Sequence, residues 1–277
     1  MKKNRKLQIS NGHYIDFDQI ARLIHAITTA EQGQKISIDF LEQDTGLPFR
    51  QVRNRISIAR SMGLLEERSF RLTSFGSLIV RHDLFFEIKG SLEYVHYLAA
   101  GNYKNLIWFE VFNTLLANDQ LLDHSEWLKY FRKKLEEHYS EKSLKGHVAK
   151  EVRFIIEAYT KNNLKQLELF SKDSQGRLYK RRYLDPSPLI FCAILYDYAQ
   201  KQRTDLLQVE NLLQDKGSPP VLFFMGEKMF HHIIEILHEK CYLRYEGTHD
   251  LNQLRLKEEY SAESFLTAYY ENREPVF

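Results

Sequence analysis

The chain has 277 residues, of which 43% are hydrophobic and 27% charged, with a formal net charge of +2. These proportions are ordinary for a soluble globular protein with room for two or three cores, and they exclude a globally basic nucleic-acid coat. Two cysteines, the absence of an apolar run near the roughly 20 residues that span a bilayer, and a basic start with no apolar segment behind it point to a reducing cytoplasm.

In chain order, residues 1–15 read as a polar arm in which Lys2, Lys3, Arg5 and Lys6 either track a nucleic-acid backbone or are simply solvated. Phe17, Ile20, Ala21, Leu23, Ile24 and Ile27 then recur at helical spacing behind Asp16, a suitable N-cap. The next 40 residues, Ser37 to Gly76, carry the punctuation of a winged helix-turn-helix. Ser37 caps a short helix, Gly46 supplies the turn, and Pro48 opens a basic helix that runs to about Met62 and stops at Gly63. Strands over 64–67 and 70–73 are expected to form the wing, with a further helix opening at 74–76.

On the basic helix, Val52, Ile56 and Ala59 share one side and are expected to pack inward. Arg50, Arg53, Asn54, Ser57 and Ser61 fall on the opposite side, flanked by Gln51 and Arg55, and Arg71 lies on the wing. Arginine forks suit phosphates and guanine edges, while Asn and Gln suit adenine edges, so Arg50, Gln51, Arg53, Asn54, Arg55, Ser57 and Arg71 form the candidate DNA-reading set. The alternative is a solvated face on a winged helix that binds protein. Residues 1–80 carry 12 Lys and Arg against 8 Asp and Glu, and the remainder 27 against 29, so the modest positive excess lies with this segment.

From 77 to about 163 the chain is helical and aromatic, with stripes through Leu92, Val95, His96 and Leu98 and through Ile107, Trp108, Val111, Phe112 and Leu115. Such stripes read as core rather than as a cofactor pocket. Short strands are expected over 167–170 and 177–183 around the turn Asp173-Ser174-Gln175-Gly176. Lys172, Arg177, Lys180, Arg181 and Arg182, interleaved with Tyr179 and Tyr183, make a secondary basic loop, either an exposed hairpin or a grip on phosphates. An apolar helix follows Pro186 and Pro188, and Ser218-Pro219-Pro220 reads as a linker. Beyond it, a helix through Met229, Ile233, Ile236 and Leu237 leads to strands over 242–245 and 253–256 and a last helix over 261–270. The expected fold is therefore mainly α with small β-hairpins: a winged helix-turn-helix at 1–80, a helical middle at 81–217 and a winged-helix-like module at 218–277.

Known catalytic signatures are missing: no Walker loop, no G-x-G-x-x-G, no G-x-S-x-G and no H-E-x-x-H. His231, His238 and Cys241 can be placed along one helix, but structural zinc takes four paired ligands. Asp83, Glu87 and Lys89 resemble the acidic cluster and lysine of a nuclease, and equally a solvated helix start. No metal, cofactor or catalytic residue is expected.

The stretch from Leu72 to Asn113 resembles a family of bacterial proteins of unknown function, often encoded beside sulfur-transfer genes of DNA phosphorothioation and phage defence. The resemblance rests on Leu72, Thr73 and Gly76, then His82, Asp83 and Phe85, then His96 and Tyr97, Trp108, Phe112 and Asn113. It covers about residues 15–115. Near the place of that family's opening His-Glu-Thr-Phe, this chain has Asn11-Gly12-His13-Tyr14. The resemblance implies a DNA-modification or antiviral setting and supplies no biochemical activity. The sequence thus supports a non-enzymatic component that binds duplex DNA through residues 48–62, working with other subunits of such a system or as a homodimer. A protein–protein scaffold and a dimeric transcriptional repressor are the alternatives.

Overall fold

The computed structural model describes residues 5–30, 34–116, 123–248 and 251–276. Asp16 accepts a hydrogen bond from the Gln19 amide at 3.0 Å and starts α1 (Phe17–Thr29), whose expected apolar stripe is wholly buried. Ser37 caps α2 (Ile38–Thr45) through the Phe40 amide, and Gly46, at φ +66°, ends it in the left-handed region that glycine tolerates. Pro48 stands just outside α3 (Phe49–Ser61) with extended backbone rather than within its first turn.

The expected wing strands reduce to a single bridge, Leu65 to Leu72. Arg60 explains the compact turn: its Nε donates to Glu66 O at 3.2 Å and its Nη2 to Ser69 O at 3.1 Å, taking carbonyls that a longer ladder would have used. Thr73 caps α4 (Ser74–His82), and Gly76 sits so close beneath the turn that a Cβ there would lie 2.1 Å from Leu64 O.

The middle consists of α5 (Lys89–Gly101), α6 (Leu106–Glu110) with its π-helical continuation Val111–Leu115, α7 (His124–Leu135), α8 (Glu141–Ser143) and α9 (Ala149–Thr160). The short hairpin β1 (Phe170–Lys172) and β2 (Leu178–Lys180) follows, with Phe170 opposite Lys180. Strand β1 starts later than expected and runs on to Lys172, while β2 falls within the expected 177–183; Asp173 takes the Gln175 and Arg177 amides to fold the turn, and Arg181 N donates to Leu169 O in register just beyond the strands.

Next come α10 (Pro188–Gln202), β3 (Leu206–Gln208), α11 (Val209–Gln214), α12 (Pro219–Leu222), α13 (Glu227–Glu239), β4 (Leu243–Thr248), β5 (Leu251–Leu256) and α14 (Ala262–Glu271). The sheet order is β3-β5-β4, all antiparallel, so the C-terminal hairpin shares its sheet with a strand from before residue 218. Ser218-Pro219-Pro220 is no exposed linker. Ser218 is fully buried with its hydroxyl on Leu212 O at 2.5 Å, and both prolines are buried in the first turn of α12. Overall, the fold is mainly helical with small antiparallel sheets.

Two buried polar groups tie these elements together. His96 lies inside a cage of Phe112, Phe223 and Tyr159, with ring centroids 4.6, 4.7 and 5.5 Å away. Burial pushes its pKa down to about 3, so the ring is neutral. The Leu222 carbonyl can only accept, so His96 Nε2–H donates to it at 3.1 Å and Nδ1 accepts from the Tyr159 hydroxyl. One ring thereby joins α5, α9 and α12. Glu151, fully buried on α9, accepts from Ile9 N at 3.0 Å, Ser10 N at 3.4 Å, Trp108 Nε1 at 3.1 Å and the Ser10 hydroxyl. Residues 5–15 are therefore docked on the body and not a free arm, whereas Lys2 and Lys3 lie outside the described residues. At the other end, Tyr270 of α14 stacks on His82 and bonds the Ser91 hydroxyl, closing the C-terminus onto α4 and α5.

Burial raises the Glu151 carboxyl to about 7, against the pull of its four donors. Between about pH 4.5 and 7 the folded chain keeps a proton that the unfolded chain has lost, so this group's contribution to stability declines as pH rises through that window. Glu151→Gln is expected to cost about 1–3 kcal/mol at pH 5, where an amide NH₂ must face donors. The gap between the two proteins should narrow towards pH 7.5 in urea titrations. A gap independent of pH would contradict this assignment.

Candidate nucleic-acid interface

The outward face of α3 is narrower than its sequence suggests. Val52, Ile56 and Ala59 pack inward as expected, and so do Asn54, 5% exposed, and Arg55, 3% exposed. Arg55 donates from Nε to Gln19 Oε1 at 2.9 Å and from Nη1 to the Tyr14 carbonyl, which bolts α3 to α1 and to the N-terminal segment. Burial lowers its pKa while Asp16 opposes that shift. Arg55 is thus a structural cation and Asn54 a floor residue, and neither stands on a groove-reading face. Ser61 is also buried, against Asn105. For Arg55 the cause is the docked segment before Asp16, which covers a flank of α3 that helical periodicity alone leaves open.

What remains outward is sharply basic. Arg50, Arg53, Ser57 and Arg60 recur at three- and four-residue spacing on one side of α3. Arg50 and Arg53 are exposed, and the Arg53 guanidinium lies 5.6 Å from the centre of the exposed Phe49 ring. The face forms one wall of a cleft of about 740 Å³. Lys6 and the turn Asn11-Gly12-His13 line it as well, with Lys150 from α9 and Phe70 from the turn between α3 and α4. Five cations, Lys6, Arg50, Arg53, Arg60 and Lys150, line this cleft, and no described carboxylate does. Half-buried His13 registers the resulting field: its pKa is lowered first by burial and then by Arg55, Lys150 and Arg50. The cleft therefore gains little charge from His13 near neutrality.

The remaining members of the expected set lie apart from this wall. Gln51 is half-buried at the flank of α3, and Arg71 is exposed on the turn between α3 and α4 but outside the cleft lining. The secondary basic loop divides in two. Arg177 pairs with Asp173 at 2.7 Å and Arg181 with Glu168 at 2.9 Å, which offsets part of its charge. Lys180 and Arg182 also line a separate cleft of about 920 Å³, next to Lys216 and Lys228, and Lys172 is exposed. Lys150 and His13 escaped the sequence reading because nothing local marks a residue 100 positions away as a wall of the α3 cleft.

The nuclease-like trio is not assembled as a site. Asp83 is buried and spends both oxygens on the Glu87 and Ile88 amides at 2.7 and 3.1 Å, while Lys89 binds Asp185 at 2.6 Å. His238 and His231 both bond Tyr245, and Cys241 is exposed. Among the described residues no group of three or more His, Cys, Asp and Glu is placed to hold a metal ion, and no helix is long and apolar enough to cross a membrane.

Comparison with solved structures finds a similar fold in a magnesium ion-bound SspB crystal structure, with TM-score 0.76 and 14% identity over 98% of this chain and 90% of that one. A second SspB crystal structure matches with TM-score 0.75 at the same identity and coverage. No curated protein matches the chain. The model of the family described as "Protein of unknown function (DUF4007)" matches residues 58–270, and this chain belongs to that family.

Proposed function

We propose that this protein binds duplex DNA across the α3 cleft, as a non-catalytic component of a prokaryotic DNA-modification or anti-phage system of the phosphorothioation type. The observation that carries the binding reading is the cleft itself: five cations from three separate parts of the chain converge with no described carboxylate among them, in a protein of nearly balanced charge. Such convergence is costly in self-repulsion unless a polyanion offsets it. The biological setting is supported by family membership and by the resemblance in residues 72–113, and the likeness to SspB supports the fold.

Both ends of the chain favour the winged-helix reading. At the N-terminal end, α1, α2 and α3 precede a bridged turn. At the C-terminal end, helix, strand, three helices and hairpin follow in the order α10, β3, α11, α12, α13, β4 and β5, with β3 against β5. On this reading the second module begins near residue 188 and not at 218.

The magnesium ion in the similar SspB structure motivates a second reading, divalent-cation-dependent cleavage of DNA. Incubation with supercoiled plasmid and Mg²⁺ tests it directly. Nicks that grow with protein concentration would replace the non-catalytic assignment.

Binding is tested by anisotropy with a labelled duplex at several salt concentrations. Arg50→Ala with Arg53→Ala is expected to flatten the plot of log affinity against log salt by about two contacts. Arg55→Ala behaves differently: it strands the Gln19 and Tyr14 acceptors and should lower stability by about 1–3 kcal/mol. An unchanged salt slope in the double variant would remove α3 from the interface.

A further inference from the structure

We infer that the DNA path does not end at α3 but continues along one basic trough to the N-terminal end of α13, so that both ends of the chain hold one duplex. This rests on the binding reading above and extends it to a second contact region.

Three clefts adjoin. The α3 cleft shares Arg60 with a neighbour of about 490 Å³ between the C-terminal end of α3, α5 and α10. That middle cleft shares Lys216 with the cleft of about 920 Å³ beside β2, α12 and α13. Going along the run, the middle cleft adds Lys201 and Lys216 to the five cations of the first, and the last adds Lys180, Arg182 and Lys228. Among the described residues Glu227 is the one carboxylate in the lining of all three. Behind the wall, Asp197 pairs with Lys201 at 2.5 Å, so the middle is the least charged part and the two ends dominate.

The far end has a second feature that suits phosphate. Helix α13 is 13 residues long and starts at Gly226 without a side-chain cap, so its first amides and its positive dipole end lie at the cleft that Arg182 and Lys228 share. Like α3, α13 is the helix directly before a hairpin or hairpin-like turn. A chain of 277 residues has a radius of gyration of about 19 Å and is roughly 50 Å across, the length of about 14 base pairs. A duplex longer than that spans the full width of the chain and is long enough to reach both ends.

The test uses the full chain with duplexes of about 8 and about 20 base pairs, chosen to fall on either side of that span. Arg182→Glu with Lys228→Glu changes two exposed side chains and leaves the α3 cleft untouched. The double variant is expected to lose about tenfold or more in affinity for the long duplex, with a salt slope lower by about two, and to bind the short duplex as the unaltered protein does. Equal affinity of variant and unaltered protein for the long duplex would overturn the trough while leaving the α3 reading intact. Equal losses on both lengths would also overturn it, because they place the two cations at the same contact as α3. Failure of the unaltered protein to bind either length would overturn the α3 reading and the trough together.

Discussion

The carboxylate of Glu151 is the constraint on which the candidate interface depends. A buried carboxyl group is tolerated only if hydrogen bonds satisfy it, and here they come from the Ile9 and Ser10 amides, the Ser10 hydroxyl and the Trp108 indole. Those bonds fix residues 9 and 10 against α9, and the chain then turns through Asn11 and Gly12, both at positive φ. The turn delivers His13 to the α3 cleft that Lys6 also lines, while Lys150, next in sequence to Glu151, reaches the same cleft. Arg55 completes the clamp from the other side by holding the Tyr14 carbonyl. A short N-terminal segment is in this way turned into one wall of a basic cleft.

The charge layout follows from where cations are compensated. Arg5 is drawn to the buried Glu110, stacks 3.8 Å over the Tyr103 ring and leaves the surface field. Arg177 and Arg181 have carboxylate partners, and exposed pairs of that kind stabilise little while screening the loop they sit on. Arg50 and Arg53 stand on a wall without a described carboxylate. A chain with a net charge of only +2 can thus present a strongly one-signed cleft, because its acids are spent elsewhere.

Local signals in the sequence were legible and tertiary ones were not. Asp16 and Ser37 mark helix starts by their side-chain chemistry, and each accepts the amide expected of a cap, as Thr73 and Ser261 also do without having been singled out as caps. The inward stripe of α3 was also readable from Val52, Ile56 and Ala59. Arg55 was not, since its burial depends on a segment about 40 residues earlier folding across it. Ser218-Pro219-Pro220 misled for a related reason: the same residues that punctuate linkers also start helices, and here a buried turn of α12 seats its carbonyl on His96. Strand β3 is three residues long and gains its identity only by pairing with β5, which no local pattern announces.

The central claim is that the segment around His13, helix α3 and the start of α9 form one composite surface for duplex DNA. Hydrogen–deuterium exchange with and without a duplex addresses it most directly. The account expects protection to appear together in peptides covering residues 6–13, 49–60 and 147–153. Protection confined to regions away from α3, or none at saturating duplex in low salt, would contradict it.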